Sequence, residues 1–309
     1  MRSDIPKDLY HYCSKDTFLK IVSNNTLRLS DISKTNDSKE LVWFQNICND
    51  IIHWTWEGYL KDLAKEGRQS EADNSAFQSL ASDSDLFRKN ELNKCWAIFL
   101  SEKADDLGQW RGYAEDGAGI SIGFKSGFFK RFEHVDLSSI DEHLNWMLFD
   151  KVAYSMDEAH EYIIKKCRMY QISSSSTNEE VLEKIRDVIV NSMVYAPLFK
   201  NDYFKDEKEW RLAIVQSFPD LFEGSSPCDI TNIPEGTSLK YDFMTRGDDL
   251  VSFVDLKYDR LSKYVSEIWL GPKCKWSEDD VLLLLISKGW IKSMDDDSIH
   301  IIKSEASYR

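Results

Sequence analysis

Two glutamates one residue apart, Glu207 and Glu209, open an apolar run in "FKDEKEWRLAIV" (204–215). Side chains alternate along a strand, so this spacing predicts both carboxylates on one face, with Arg211 beyond them on the same side. Such a pair serves one of two ends. It stabilises a developing positive charge in a cleft, or it is an ordinary surface ion pair with the nearby arginine, worth under about 1 kcal/mol. Other residues suited to the first end lie earlier in the chain. His11 sits in "LYHYCS", Arg28 in "TLRLSD", and Ser101 closes "CWAIFLS". Trp110 and Tyr113, three apart in "ADDLGQWRGYAED", would share a helix face, with Asp106 on the same side.

Each of these also has a plain structural reading. His11 would be a hydrogen-bonded core histidine, and Trp110 with Tyr113 core packing. Arg28 would be a strand-edge charge, Asn36 a helix cap, and Ser101 the end of its strand. Asp106 would be an acid in a first helical turn, where negative charge is favoured.

The elements that must hold these residues are readable from period and caps. "LYHYC" (9–13) and "TLRLSD" (26–31) read as strands, with a helix between them capped by Ser14. A long helical stretch covers 35–67, and 68–93 reads as a polar loop with short helical turns. Strands follow at 95–101, 118–124 and within 146–155, with a short helix at 104–116 and a helical turn at "GFFKRFE". Helices at 157–171 and 178–200 are separated by "SSSSTN", the best linker candidate. Strands then resume at "EWRLAIVQ", "LKYDFM", "LVSFVDLKYD" and "VSEIWLG", before a helix at "SEDDVLLLLISKG" and a last strand at "SIHIIKS". Strands and helices mix without a βα period, which predicts an α+β fold. We expect one α+β domain over 1–309 with a helical insertion at about 157–200.

Composition bounds the function. The chain has 309 residues, 42% hydrophobic and 13% aromatic, enough for a large core. A net charge of −14 disfavours a broad grip on nucleic acid but leaves room for a local basic cleft. Six cysteines without a CxxC predict reduced thiols. "MRSDIPKDLYHYCSKD" has no apolar leader core, and "VLLLLI" (281–286) is too short to span a bilayer. A cytoplasmic protein with no membrane partner is expected.

Several motifs are decoys. "DGAGISIGF" spaces its glycines as G-x-G-x-x-x-G, unlike the dinucleotide fingerprint, and predicts a tight turn and close backbone approach. There is no Walker A loop, HExxH or G-x-S-x-G. "EKE" fails the E-x-K of a restriction-type nuclease. His134 and His143, nine apart, make a poor metal site, and none is expected.

The series "LYHY-S…TLRLS…ND…E", "SEK-DDL-W--YA--G-GI-IGF", "EKEWRL" and "EI-LGP-C" resembles the bacterial domain-of-unknown-function 2971 family from about residue 8 to 275. A first strand bearing His, a strand "LRLS", midway aromatics and a late strand opening E-x-E also resemble the ADP-ribosyltransferase superfamily. That second resemblance implies a split mixed or antiparallel sheet with helical insertions, NAD as substrate, and no metal. It implies Glu209 as catalytic acid and Glu207 as the acid that positions the acceptor. His11 and Ser101 would bind ribose oxygens, Trp110 and Tyr113 would sandwich nicotinamide, and Arg28 would contact phosphate. The superfamily's Ser-Thr-Ser strand is represented by Ser101 alone, and its second-strand tyrosine is missing from "TLRLS". The implied activity is transfer of ADP-ribose to a macromolecular acceptor, protein or nucleic acid, or hydrolysis of NAD. It suits a toxin or anti-phage effector with an antitoxin or defence-system partner. The competing expectation is a non-enzymatic sensor or interaction module that binds a nucleotide or protein in the same scaffold. If the site is real, His11, Trp110 or Tyr113, and Glu209 meet in one open pocket.

Overall fold

Among the described residues, ten strands build one sheet: β1 (Asp8–Cys13), β2 (Thr26–Asp31), β3 (Lys94–Ser101), β4 (Ile120–Lys125), β5 (Trp146–Lys151), β6 (Glu209–Gln216), β7 (Thr237–Arg246), β8 (Asp249–Tyr258), β9 (Val265–Leu270) and β10 (His300–Lys303). The computed structural model describes residues 5–34, 40–82, 94–132, 146–166, 168–216 and 233–308. Asn36, His134, His143, Cys167 and Cys228 lie outside the described residues. The fold is α+β, as the mixed element order implies. The strand ladders are antiparallel except β9–β10, which is parallel.

The sheet forks at β3. One edge of β3 pairs along its whole length with β6, from Lys94↔Gln216 to Ser101↔Glu209. The other edge is shared. β1 meets it at Tyr10↔Ser101, while β2 meets it at Ser30↔Ala97 and Asp31↔Trp96. β1 leads to the wing β4–β9–β10, and β2 to the wing β8–β7. Residues 98–100 lie between the two pairings, and a gap opens there.

The two faces differ in cover. Strand alternation puts Leu9, Ile98, Leu100, Leu212, Ile214, Leu27 and Leu29 on one face. There they bury against helix Lys15–Asn24 (Phe18, Ile21, Val22) and helix Glu278–Ser287 (Val281, Leu285). Those helices begin as the sequence requires. Ser14 accepts from Thr17 N, and Ser277 forms a capping box with Asp280. On the other face, Cys95, Ala97, Ala213 and Val215 pack in one cluster with residues of helices Glu40–Lys65, Met156–Lys166 and Asn178–Tyr195. The expected insertion is therefore part of the core. "SSSSTN" does not act as a linker. Thr177 Oγ1 accepts from Glu180 N (3.2 Å) and Thr177 N donates to the Glu180 carboxylate (2.7 Å), starting a helix. Within the expected loop 68–93, Asp73 caps an eight-residue helix, Asn74–Ala81.

"DGAGISIGF" is structural. Gly117 has φ +87°, and a Cβ on Gly119 would lie 2.4 Å from the Cys13 oxygen and 2.9 Å from the Ala114 backbone. Backbone has little room to yield, so Gly119→Ala is expected to destabilise by about 2 kcal/mol or more. Urea unfolding checks this; an unchanged midpoint would refute the close approach.

Candidate functional site

Ladder register sets a row of side chains across the fork. Tyr10, Ser101 and Glu209 are paired neighbours, and Arg211 is paired with Phe99 on one side and Asp150 on the other. All share the face that the larger helices cover further along β3 and β6. At the β1 end, the short helix Leu107–Tyr113 covers this face, with Trp110 packed on Tyr12. Asp106 caps this helix through Gln109 N (3.1 Å), as its position implies. Between the two covers lies a cavity of about 200 Å³, lined by His11, Ser30, Gln109, Tyr113, Lys200, Phe204, Glu207, Glu209, Arg211 and Arg246 among others.

Glu209 and Arg211 are not a solvated pair. They are 4% and 1% exposed. Arg211 Nε donates to Glu209 Oε1 (2.8 Å), and Arg211 Nη2 to Oε2 (3.1 Å). Lys200 Nζ donates to Glu209 Oε2 (3.3 Å) and to Glu207 Oε2 (2.7 Å). Among the described residues, two acids thus meet two bases, and these four charges sum to zero. Burial alone would push the Glu209 carboxyl up, but Arg211 and Lys200 hold it below the usual range. Burial works against the Lys200 charge as well, and Glu209 with Glu207 overcomes it and raises the ammonium. Glu209 is therefore ionised at neutral pH.

Glu207 shares the cluster for a different reason from strand parity. It ends a 3-10 helix, Asp202–Glu207, and Lys208 turns the chain into β6 in the left-handed region at φ 46°. Asn201 starts that helix by accepting from Tyr203 N (3.1 Å). Ser101 Oγ fastens the turn by donating to the Glu207 main-chain oxygen (2.7 Å). Ser101 is thus a buried support, off the cavity wall. Tyr113 Oη donates to Glu207 Oε1 (2.8 Å), and its ring is partly exposed. Burial and the neighbouring Glu207 charge push the Tyr113 phenol well up, so it stays a donor.

His11 sits at the fork. By strand parity it belongs to the apolar face, yet its Nδ1 is 3.0 Å from the Phe99 main-chain oxygen, in the stretch of β3 between the two pairings. A carbonyl only accepts, so Nδ1 carries the proton. Burial lowers the imidazole pKa, although the Phe99 bond opposes this, and the ring is neutral with Nε2 an acceptor. The sign for stability follows. The unfolded imidazole binds a proton near pH 6.5, which the folded one resists. Stability is full above that pH and falls as pH drops below it. His11→Asn, which keeps an N–H for Phe99, is expected to flatten urea-unfolding stability between about pH 6.5 and 5. Identical pH curves for the two proteins would contradict this.

Two expected contacts fall elsewhere. Trp110 is fully buried, edge-on to Tyr12 at 4.8 Å, with Nε1 donating to Asp105 Oδ1 (2.6 Å). Of the two, only Tyr113 lines the cavity, and it makes no sandwich with Trp110. Arg28 lies over the Phe253 ring (3.5 Å) and pairs with Asp255 across the ladder (2.8 and 2.9 Å). It is off the cavity wall; the arginines on that wall are Arg211 and Arg246, the latter at the end of β7. Lys200, Gln109, Ser30 and Arg246 were not marked by any local pattern. Among the described residues, no group of three or more His, Cys, Asp or Glu is arranged to hold a metal, and no helix is long and apolar enough to cross a membrane.

Residues 109–212 match the family model described as "Protein of unknown function (DUF2971)". The matched segment begins at Gln109 on the cavity wall and ends just past Arg211. It thus holds Tyr113, Lys200, Glu207 and Glu209, while His11 and Arg246 lie outside it. No curated protein and no solved structure matches the chain.

Proposed function

We propose that this cavity binds the nicotinamide–ribose end of NAD and cleaves the bond between them, transferring ADP-ribose to a macromolecule or to water. The observation that carries the reading is the meeting of His11, Tyr113 and an ionised Glu209 on one cavity wall at the fork of the sheet. The split of β1 and β2 along β3, which opens the cavity, supports the reading. In the reaction the C1′–N bond breaks and its electron pair passes to the ring nitrogen, neutralising the pyridinium. The ribose becomes oxocarbenium-like. Glu209 supplies fixed negative charge beside it in a partly dry site. Tyr113 offers its ring face to nicotinamide, and His11 Nε2 accepts from a ribose hydroxyl. The acceptor, or water, then adds at C1′ and gives up a proton, for which Glu207 is the nearest outer base.

A second reading is favoured by one observation. Arg211 and Lys200 engage both Glu209 oxygens, which suits a non-catalytic nucleotide sensor. One experiment separates the two. The protein is incubated with a cell extract and NAD labelled in the adenosine half. Label in protein, nucleic acid or free ADP-ribose supports cleavage; NAD bound but intact supports the sensor.

A further inference from the structure

Gln109 is 7% exposed and lines the cavity. Its main-chain N–H is used in the helix cap, but among the described residues its carboxamide has no hydrogen-bond partner. A buried amide without a partner costs about 1–3 kcal/mol unless something else satisfies it. Its atoms reach the cavity rather than sealed space. Ser30 Oγ and His11 Nε2 face the same cavity, likewise without partners among the described residues. Of the three, Gln109 is the most buried and presents a ligand with both donors and an acceptor.

We infer that Gln109 is a specificity-determining residue that reads a primary carboxamide on the ligand by a two-bond amide pair. Its Nε2–H donates to the ligand carbonyl, and its Oε1 accepts from the ligand N–H. Nicotinamide carries such a group, and Tyr113 lies one helical turn from Gln109, so one short helix presents both the stacking ring and the amide reader. This inference rests on the NAD reading and names the feature of the substrate the site selects. It also accounts for a polar residue at a position facing the cavity in a helix otherwise held by Trp110.

The probe pair is NAD and its 3-acetylpyridine analogue, a methyl ketone of equal charge that lacks the ligand N–H. Equal charge removes any contribution from Glu207 and Glu209. The measured quantity is the ratio of kcat/KM for NAD to that for the analogue. Intrinsic leaving-group differences are the same for every variant and cancel between them. Wild type is expected to exceed Gln109→Met in this ratio by about tenfold, the worth of one buried hydrogen bond with its unsatisfied partner. Gln109→Glu keeps the acceptor but loses the donor, and serves should the methionine variant not fold. It is expected to lower kcat/KM for both substrates. A structural role alone would leave the ratio unchanged. An unchanged ratio in an active Gln109→Met, or Gln109→Glu with wild-type kcat/KM for both, overturns the inference and leaves NAD cleavage standing. A wild type that neither binds nor cleaves NAD overturns both.

Discussion

Arg211→Met is expected to destabilise the protein by about 3–5 kcal/mol, the cost of leaving a buried charge without its partner. The wild-type cluster of Glu207, Glu209, Lys200 and Arg211 is neutral, and its central pair is almost wholly buried. Removing the guanidinium leaves Glu209 with Lys200 alone, shared with Glu207. It also strands the Pro197 main-chain oxygen, which accepts from Arg211 Nη1 (2.8 Å). The double change Glu209→Leu/Arg211→Met restores neutrality, with Glu207 and Lys200 still paired. It should recover more than half of the loss, so a double-mutant cycle should give a coupling of at least about 2 kcal/mol. Urea unfolding near neutral pH measures all four corners. Additive losses would mean that the buried pair is not a unit. The pH sign matches this picture. A carboxylate held low when folded contributes stability above its unfolded value, and loses it as pH falls through the lower folded one.

Glu209→Gln is expected to lower nicotinamide release by at least about a hundredfold, the scale of removing one preorganised electrostatic group. The amide keeps the shape and an acceptor oxygen but removes the charge proposed to face the ribose cation. It also leaves Arg211 and Lys200 short of one negative charge, so turnover must be compared well below the variant's melting temperature. Titration of Glu209 should not lower wild-type activity as pH falls from 7 towards the ordinary carboxyl range, because Glu209 remains ionised there. Turnover by folded Glu209→Gln at the wild-type rate would remove this carboxylate from the chemistry.

Much of the fold was legible because its signals are local. Alternation in "LYHYC" and "TLRLSD", the cap at Ser14, and apolar runs such as "CWAIFLS" set elements that the structure contains. The site was legible only where a strand or helix carried the pattern. Glu209 and Arg211 share a strand face as their spacing implies, but their burial depends on helices packed from elsewhere in the chain. Glu207 meets them through a 3-10 turn that strand period does not describe. Trp110 and Tyr113 are one helical turn apart, yet one plugs the core and the other lines the cavity, because Tyr12 claims the first. Ser30 and Arg246 reach the cavity through pairing among β3, β2, β8 and β7, a long-range order that no sequence window holds.

The most direct measurement is chromatographic quantification of nicotinamide released from NAD by the wild-type protein. The account predicts nicotinamide in step with NAD loss, and slower release by Tyr113→Ala, which removes the ring proposed to stack on nicotinamide. No release by wild type, with calorimetric titration showing no NAD binding, would contradict it.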